Sequence, residues 1–324
     1  MQFKDSREMG SGIGAVVVTY RRPELLAKTV CTILQQTVSC SVVVIVNNDP
    51  DGPSALGRIA GFLTGAEKTR VIELRVGCNA GSAGGFKLGI QHVLDYTDCA
   101  WIWTMDDDYF PEKECLLELL KCEKEIVQAT RYWRGELMET AAIDMEFSNA
   151  FRIDPKRRIV TESLIKHAKG EWLRVAGFSF EGTLFRRDVF TKMGLPLAEF
   201  FICHDDLELS LRAKDYGYDI YLALRARANR EFCVNRAGVL RGWKGYYAIR
   251  NYCFLIRKYG HMGIWWRILI ITSCSIILNA CHWDLKGLRG VLAGFWDGVL
   301  GRYSDVDRVK IVKVSELGLS GDLD

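Results

Sequence analysis

Missing from this sequence, first of all, is a hydrophobic run long enough to cross a bilayer. The strongest candidate lies in "IWWRILIITSCSIILNACHW" (264–283), where residues 268–281 form an apolar-dominated stretch of fourteen. A spanning helix needs roughly 20. No two of the eleven cysteines have CxxC spacing; the nearest couples are Cys115 with Cys122 and Cys274 with Cys281. That argues against a zinc ribbon or a dithiol redox centre and predicts buried, reduced thiols in a cytoplasmic chain. An excess of one charge is also lacking: 43 Lys and Arg against 40 Asp and Glu leave +3. No nucleic-acid partner is therefore expected. Repeats and low-complexity tracts are absent, and the opening "MQFKDSREMGSG" has no apolar core, so a secretory signal is not expected there.

What is present is a regular alternation. Residues 14–20, 41–49, 69–75 and 99–105 are short β-branched or apolar runs. Between them, "RRPELLAKTVCTILQQT", "PSALGRIAGFLTG" and "FKLGIQHVLDY" have helical spacing. The pattern predicts an α/β fold around a mostly parallel, Rossmann-like sheet with helices on both faces. Ligands of such sheets bind beyond the carboxyl ends of the strands. Those ends are Thr19, Tyr20 and Arg21; Asn47, Asn48 and Asp49; the stretch from Arg75 through Asn79 and Gly81 to Gly84 and Gly85; and Asp106, Asp107 and Asp108. Each is polar or glycine-rich.

Two acidic clusters carry the chemistry. In "WTMDDDYFP" alternate residues of an extended segment point alike, which aligns Asp106 with Asp108. Two hard oxygen donors suit Mn²⁺ or Mg²⁺ shared with a substrate phosphate; a solvated acidic turn is the plain alternative. In "CHDDLELSLRA" Asp205, Asp206 and Glu208 stand at a helix start, where carboxylates favour the dipole. A carboxylate left over from capping is a competent general base. The glycines of "NAGSAGG" permit close backbone approach to a nucleotide, but the GxGxxG order is absent, which argues against a dehydrogenase.

Residues 112–170 read as helical ("EKECLLELLKCEKEI") and then irregular; strand-like text at 172–190, a helix near 207–216 and another strand follow. From residue 241 the text turns aromatic, glycine-spaced and basic, which predicts a helical C-terminal region over 241–324. Trp243, Lys244, Tyr247 and Arg250 offer rings for a sugar and cations for a phosphate; a packed aromatic helix is the equal alternative. Around residues 264–283, flanking Trp and basic residues suit a helix lying on an anionic leaflet. Burial in a bundle, an oligomer contact and true spanning stay open. Thr272, Ser275 and Asn279 are expected to share one face.

"VVVTYRRPELLAKTVCTILQQ", "NAGSAGGFKLGI", "WIWTMDDDYFP" and "FFICHDDLELSLRAKDYGY" together resemble the family 2 glycosyltransferases of GT-A fold, most of all their galactofuranosyltransferase and rhamnosyltransferase branch. The resemblance covers about residues 14 to 260. It implies a GT-A domain over 1–240, with a nucleotide-sugar half at 14–110 and an acceptor half at 111–240. It implies inverting hexosyl transfer from a nucleoside diphosphate sugar, UDP-linked by expectation, to a glycan or lipid-linked acceptor in cell-envelope polysaccharide assembly. Such an enzyme would sit at the inner face of the cell membrane, with a homo-oligomer as an expected assembly. Carried over by position, Thr19, Tyr20 and Arg21 line the nucleotide pocket and Asn47, Asn48 and Asp49 meet the base. Asp106 and Asp108 hold the metal, with Asp107 near the ribose or sugar. The Asn79–Gly85 loop packs on the donor. Asp206 is the catalytic base, with Asp205 next. Three positions depart from the pattern: Asn47 replaces an Asp, Leu88 an Arg, and no His stands roughly two dozen residues beyond the base, where "ARANREF" puts Asn229 nearest the expected third ligand. A sugar-phosphate nucleotidyltransferase is the competing enzyme class, although "TYRRPE" lacks its glycine-rich loop; a non-catalytic carbohydrate-binding subunit is the competing binding class.

Overall fold

The computed structural model describes residues 12–62, 69–138, 141–146, 156, 158–232, 239–260, 265–303 and 311–317. The four apolar runs form the strands β1 (Ile13–Thr19), β2 (Val42–Asn47), β3 (Arg70–Val76) and β4 (Trp101–Asp106), all paired in parallel. The crossovers are α1 (Pro23–Leu34), α2 (Ala55–Ile59) and α3 (Gly81–Tyr96). Pro23 opens α1, where its missing N–H has no partner to lose. The strand period of two divides β1 between two cores. Val16 and Val18 join Phe86, Ile90 and Val93 of α3 on one face. Ala15 and Val17 join Leu26, Val30 and Ile33 of α1 on the other.

The second half follows as β5 (Tyr109–Pro111), α4 (Cys115–Leu120), β6 (Ile126–Trp133), β7 (Glu136–Leu137), α5 (Glu162–Lys166), β8 (Trp172–Val175), β9 (Thr183–Arg186), α6 (Arg187–Met193), α7 (Asp205–Asp215) and β10 (Ile220–Arg230). Here the sheet becomes mixed, because β9 runs antiparallel to both β4 and β6. The long helix read after residue 112 is a single short one. "IVQATRYW" is instead a buried strand whose Gln128 and Thr130 are polar yet fully covered, so no apolar alternation marked it.

Helices α8 (Lys244–Tyr259), α9 (Trp265–Cys281) and α10 (Leu285–Leu300) complete the C-terminal part. Ile249, Cys253 and Ile256 of α8 share a core with Ala83 and Phe200. Glu208 on α7, 1% exposed, accepts from Lys258 Nζ at 2.9 Å and Tyr259 Oη at 2.7 Å, and pairs with Arg212. The region is not wholly helical: β11 (Ile311–Leu317) returns to pair antiparallel with β3 at the sheet edge.

Candidate active site

The strand ends gather at one rim, but only part of the expected donor surface is open. Asp107 is buried and braces the ends of β1 and β4. It accepts from Thr19 Oγ1 at 2.8 Å, from the Tyr20 amide at 3.4 Å and from Arg22 at 3.4 Å. Burial pushes its carboxyl up to about 6 against those partners. Asp107 and Thr19 are therefore struts, and the expected contact of Asp107 with ribose or sugar is corrected. Tyr20 and Arg21 remain exposed at the rim, with Arg21 stacked over the Tyr20 ring and 3.2 Å from Asp49.

Asn47 and Asn48 are likewise consumed inside the fold. Asn47 Nδ2 donates to Glu73 Oε1 at 2.8 Å, and Asn48 Nδ2 to the Gly81 carbonyl at 2.9 Å. Burial pushes the Glu73 carboxyl up, but hydrogen bonds from Ser54, Ala55, Asn47 and Leu56 outweigh it and hold it low. This explains the amide at position 47: a carboxylate there would face a buried carboxylate. Asn47→Asp is expected to cost about 2 kcal/mol in urea unfolding at neutral pH, the worth of a hydrogen bond to a charged group. Of the three residues expected at the base, Asp49 alone stays at the rim. Of "NAGSAGG", Asn79 and Ala80 precede α3 and residues 81–85 open it; Gly84 and Gly85 are buried there, and Gly85 packs against Val18 and Asn48. Gly81, at φ +69°, lets the helix start touch the Phe201 backbone, where a Cβ would lie 2.0 Å from its carbonyl oxygen. Asn79 Oδ1, just before the helix, accepts the Gly81 amide at 3.0 Å. Leu88 packs against the apolar core rather than at the rim.

At the end of β4 the acids meet cations from β6 and β10. Arg230 Nη2 lies 3.1 and 2.9 Å from the two Asp108 oxygens, and its Nη1 is 3.0 Å from Glu181. Arg131 Nη1 donates to Glu181 at 2.9 Å and to Ser179 at 2.6 Å. Gly182, at φ +82°, turns the chain so that Glu181 enters this group; a Cβ there would strike the Tyr109 hydroxyl at 1.8 Å. Burial first, then Glu181 and Asp108, push the Asp106 carboxyl well above the usual range. Burial also raises Asp108, against Arg230. These hard oxygens are short of positive charge, and in chemistry they fit a divalent cation held by Asp106 and Asp108. The expected third donor does not: Asn229 is exposed, and its neighbour Arg230 is the residue turned toward Asp108.

Across this group lies a cavity of about 230 Å³ lined by Asp206, Arg131, Lys156, His204, Ser210 and Tyr252, among others. The main chain before Asp205 is strained: Phe201, Cys203 and His204 have φ of 59°, 69° and 64°, conformations that cost non-glycine residues. Asn251 Nδ2 holds this turn by donating to the carbonyls of Phe200, Ile202 and Cys203, each at 2.9 Å. Arg250 adds bonds to the Glu199 and Phe200 carbonyls. Asp205 is tied back to α3 by Ser82 Oγ at 2.9 Å; burial and then Asp206 push it up to about 7. Asp206 accepts its local Leu207 amide at 2.7 Å and lines the cavity. Burial raises it, Lys156 opposes, and Glu181 adds to the rise. Arg131, which lines this cavity, also donates to Glu181 of the other acidic group. His204 stays neutral, pushed down to about 4 by burial and Lys156.

The expected acceptor group divides. Phe201 stacks on Tyr247 with centroids 4.7 Å apart and meets Trp243 at 6.3 Å; Trp243 is 58% exposed, and Lys244 is half-buried beside it. Trp243, Lys244 and Tyr247 form a shelf with Phe201 beside the strained turn. Arg250 is fully buried and cannot reach an acceptor, which corrects that assignment. Glu181, Arg230, Arg131 and Lys156 were not singled out from sequence. A lone acid before glycine in "FSFEGTLF" was the available signal for Glu181.

A family model described as "Glycosyltransferase like family 2" matches residues 11–241. The chain belongs to this family. Proteins similar to this chain include galactofuranosyltransferase GlfT1 of Mycobacterium tuberculosis, 31% identical over 210 residues, which are 63% of this chain and 65% of the relative. GlfT1 of Mycolicibacterium smegmatis is 30% identical over 65% of this chain and 68% of its own. The chain thus spans about two thirds of these curated relatives. Among solved structures, GalNAc-T7 with UDP, GalNAc and Mn²⁺ superposes with a TM-score of 0.58 at 12% identity, covering 78% of this chain and 48% of that one. The family 2 chain therefore has the GT-A fold.

Proposed function

We propose that this family 2 glycosyltransferase is an inverting hexosyltransferase. In this reading it moves galactofuranose from a UDP-linked donor to a hydroxyl of a glycan or lipid-linked acceptor. The observation that carries it is a lone carboxylate, Asp206, lining a cavity whose Arg131 donates to Glu181 of the phosphate-side acids at 2.9 Å. The names of the relatives support the sugar. Tyr20, Arg21 and Asp49 receive the nucleotide. Asp206 takes the proton from the acceptor hydroxyl, and the oxygen attacks the anomeric carbon opposite the diphosphate. The C–O bond to phosphate breaks, and its electron pair leaves with the nucleoside diphosphate. Asp106 and Asp108 would hold Mn²⁺ or Mg²⁺, whose contribution when bound is neutralising charge on that diphosphate. Trp243, Lys244 and Tyr247 flank the acceptor. Incubation with UDP-galactofuranose and an acceptor extract, with UDP release as readout, tests this: release dependent on the acceptor is expected, and none with any UDP-hexose would end the reading.

The acceptor side of this proposal includes a leaflet. On α9 the polar positions Arg267, Thr272, Ser275 and Asn279 are buried, while Leu269 and Ile277 are 55% and 61% exposed. Trp283, Leu285, Leu292 and Trp296 continue the exposed apolar face, bordered by exposed Lys286 and Arg289. No helix among the described residues is long and apolar enough to cross a membrane. Outward apolar residues with a cationic border suit an anionic leaflet at the inner face of the cell membrane. The protein is expected to sediment with phosphatidylglycerol vesicles, and Leu269→Glu with Ile277→Glu to abolish it. A stable dimer that the same pair dissociates, without vesicle binding, would assign the face to a second copy.

A further inference from the structure

The cation inside the acid group is a fixed part of the chain. Arg230 is 8% exposed by side chain and contacts both oxygens of Asp108 and one of Glu181. A guanidinium keeps its charge throughout the accessible pH range and matches a carboxylate as a fork. Any divalent ion approaching Asp108 meets this charge at contact distance. Among the described residues, no three His, Cys, Asp or Glu side chains converge as a ready-made cage. Meanwhile Arg230 Nε is a buried donor with no hydrogen-bond partner among the described residues. A phosphate oxygen is the acceptor such a donor suits.

We infer that Arg230 is a resident counter-cation of the diphosphate subsite: it occupies Asp108 and Glu181 so that a divalent ion binds together with the donor diphosphate rather than before it. This deepens the proposed function and rests on it for the identity of the diphosphate. Without the donor, Asp106, Asp108 and Glu181 share Arg230 and Arg131, so an added ion must displace or crowd a guanidinium. With the donor, phosphate oxygens supply ligands to the ion and an acceptor to Arg230, and the conflict eases. Arg230 acts here as a positioning residue that orders ligand entry.

Electron paramagnetic resonance titration of the full chain with Mn²⁺, with and without UDP, tests the idea. UDP is expected to raise wild-type Mn²⁺ affinity by about tenfold or more, within the range of couplings between ligands. Arg230→Gln, and Arg230→His as a second variant, are expected to raise affinity without UDP by about tenfold, the scale on which neighbours of a metal site act. Equal wild-type affinity with and without UDP would overturn the inference, and that arm needs no variant to fold. So would a folded Arg230→Gln protein with unchanged affinity. The readout is ion binding, so failure to turn over UDP-galactofuranose sinks the proposed activity alone.

Discussion

Asp206→Asn is expected to lower kcat about 10³-fold with little change in the KM for the donor, the loss typical of removing a general base. The substitution keeps size and the Leu207 contact but removes the proton acceptor. The proposed donor contacts, Tyr20, Arg21 and Asp49, lie at the strand-end rim and are untouched. The pH profile sharpens the test. Burial, with help from Glu181, raises the Asp206 carboxyl above its ordinary range. A base works only when ionised, so activity should be absent at low pH and appear as pH rises through that raised value. The acid limb should therefore stand above the usual carboxylate range. Residual activity of Asp206→Asn should lack this limb. Asp205→Asn should retain more activity, because Asp205 is bonded to Ser82 and braces α3.

Arg250→Ala is expected to remove about 3 kcal/mol of stability in denaturant unfolding, the scale for carbonyls stripped of a charged donor. It should also lower acceptor-dependent and acceptor-independent UDP release together. The guanidinium lies under the strained turn at 201–204, bonded to Glu199, Phe200 and Asn251 and close to the Tyr246 and Tyr247 rings. Without it the left-handed conformations of Cys203 and His204 lose their clamp, and Asp205 and Asp206 lose their direction. An acceptor ligand would behave otherwise: KM for the acceptor would rise while stability and donor hydrolysis held. Lys244→Ala, on the exposed shelf, is the comparison in which that second pattern belongs.

The parallel half of the sheet was legible because β-branched runs buried on both faces leave a plain imprint, as in β1 and β2. The triple Asp and the HDD turn were legible because acids are seldom placed beside core strands. What the text concealed was the use of each side chain. Asp107, Thr19, Asn47 and Asn48 stand at strand ends like ligand residues, yet each satisfies a buried partner, and partners such as Glu73 are set by the fold. β6 was hidden because Gln128 and Thr130 break its apolar alternation. Arg230 was passed over in favour of Asn229, since a one-residue shift along a strand exchanges the faces. The helix α9 was read correctly for its polar face, although the text alone left open which face turns inward.

The most direct measurement is the anomeric configuration of the product, read by proton nuclear magnetic resonance during turnover of UDP-galactofuranose. A single displacement with Asp206 opposite the phosphate rim predicts inversion at the anomeric carbon. Retention of the donor's configuration would contradict the account, because it requires a second displacement or attack from the phosphate's own face.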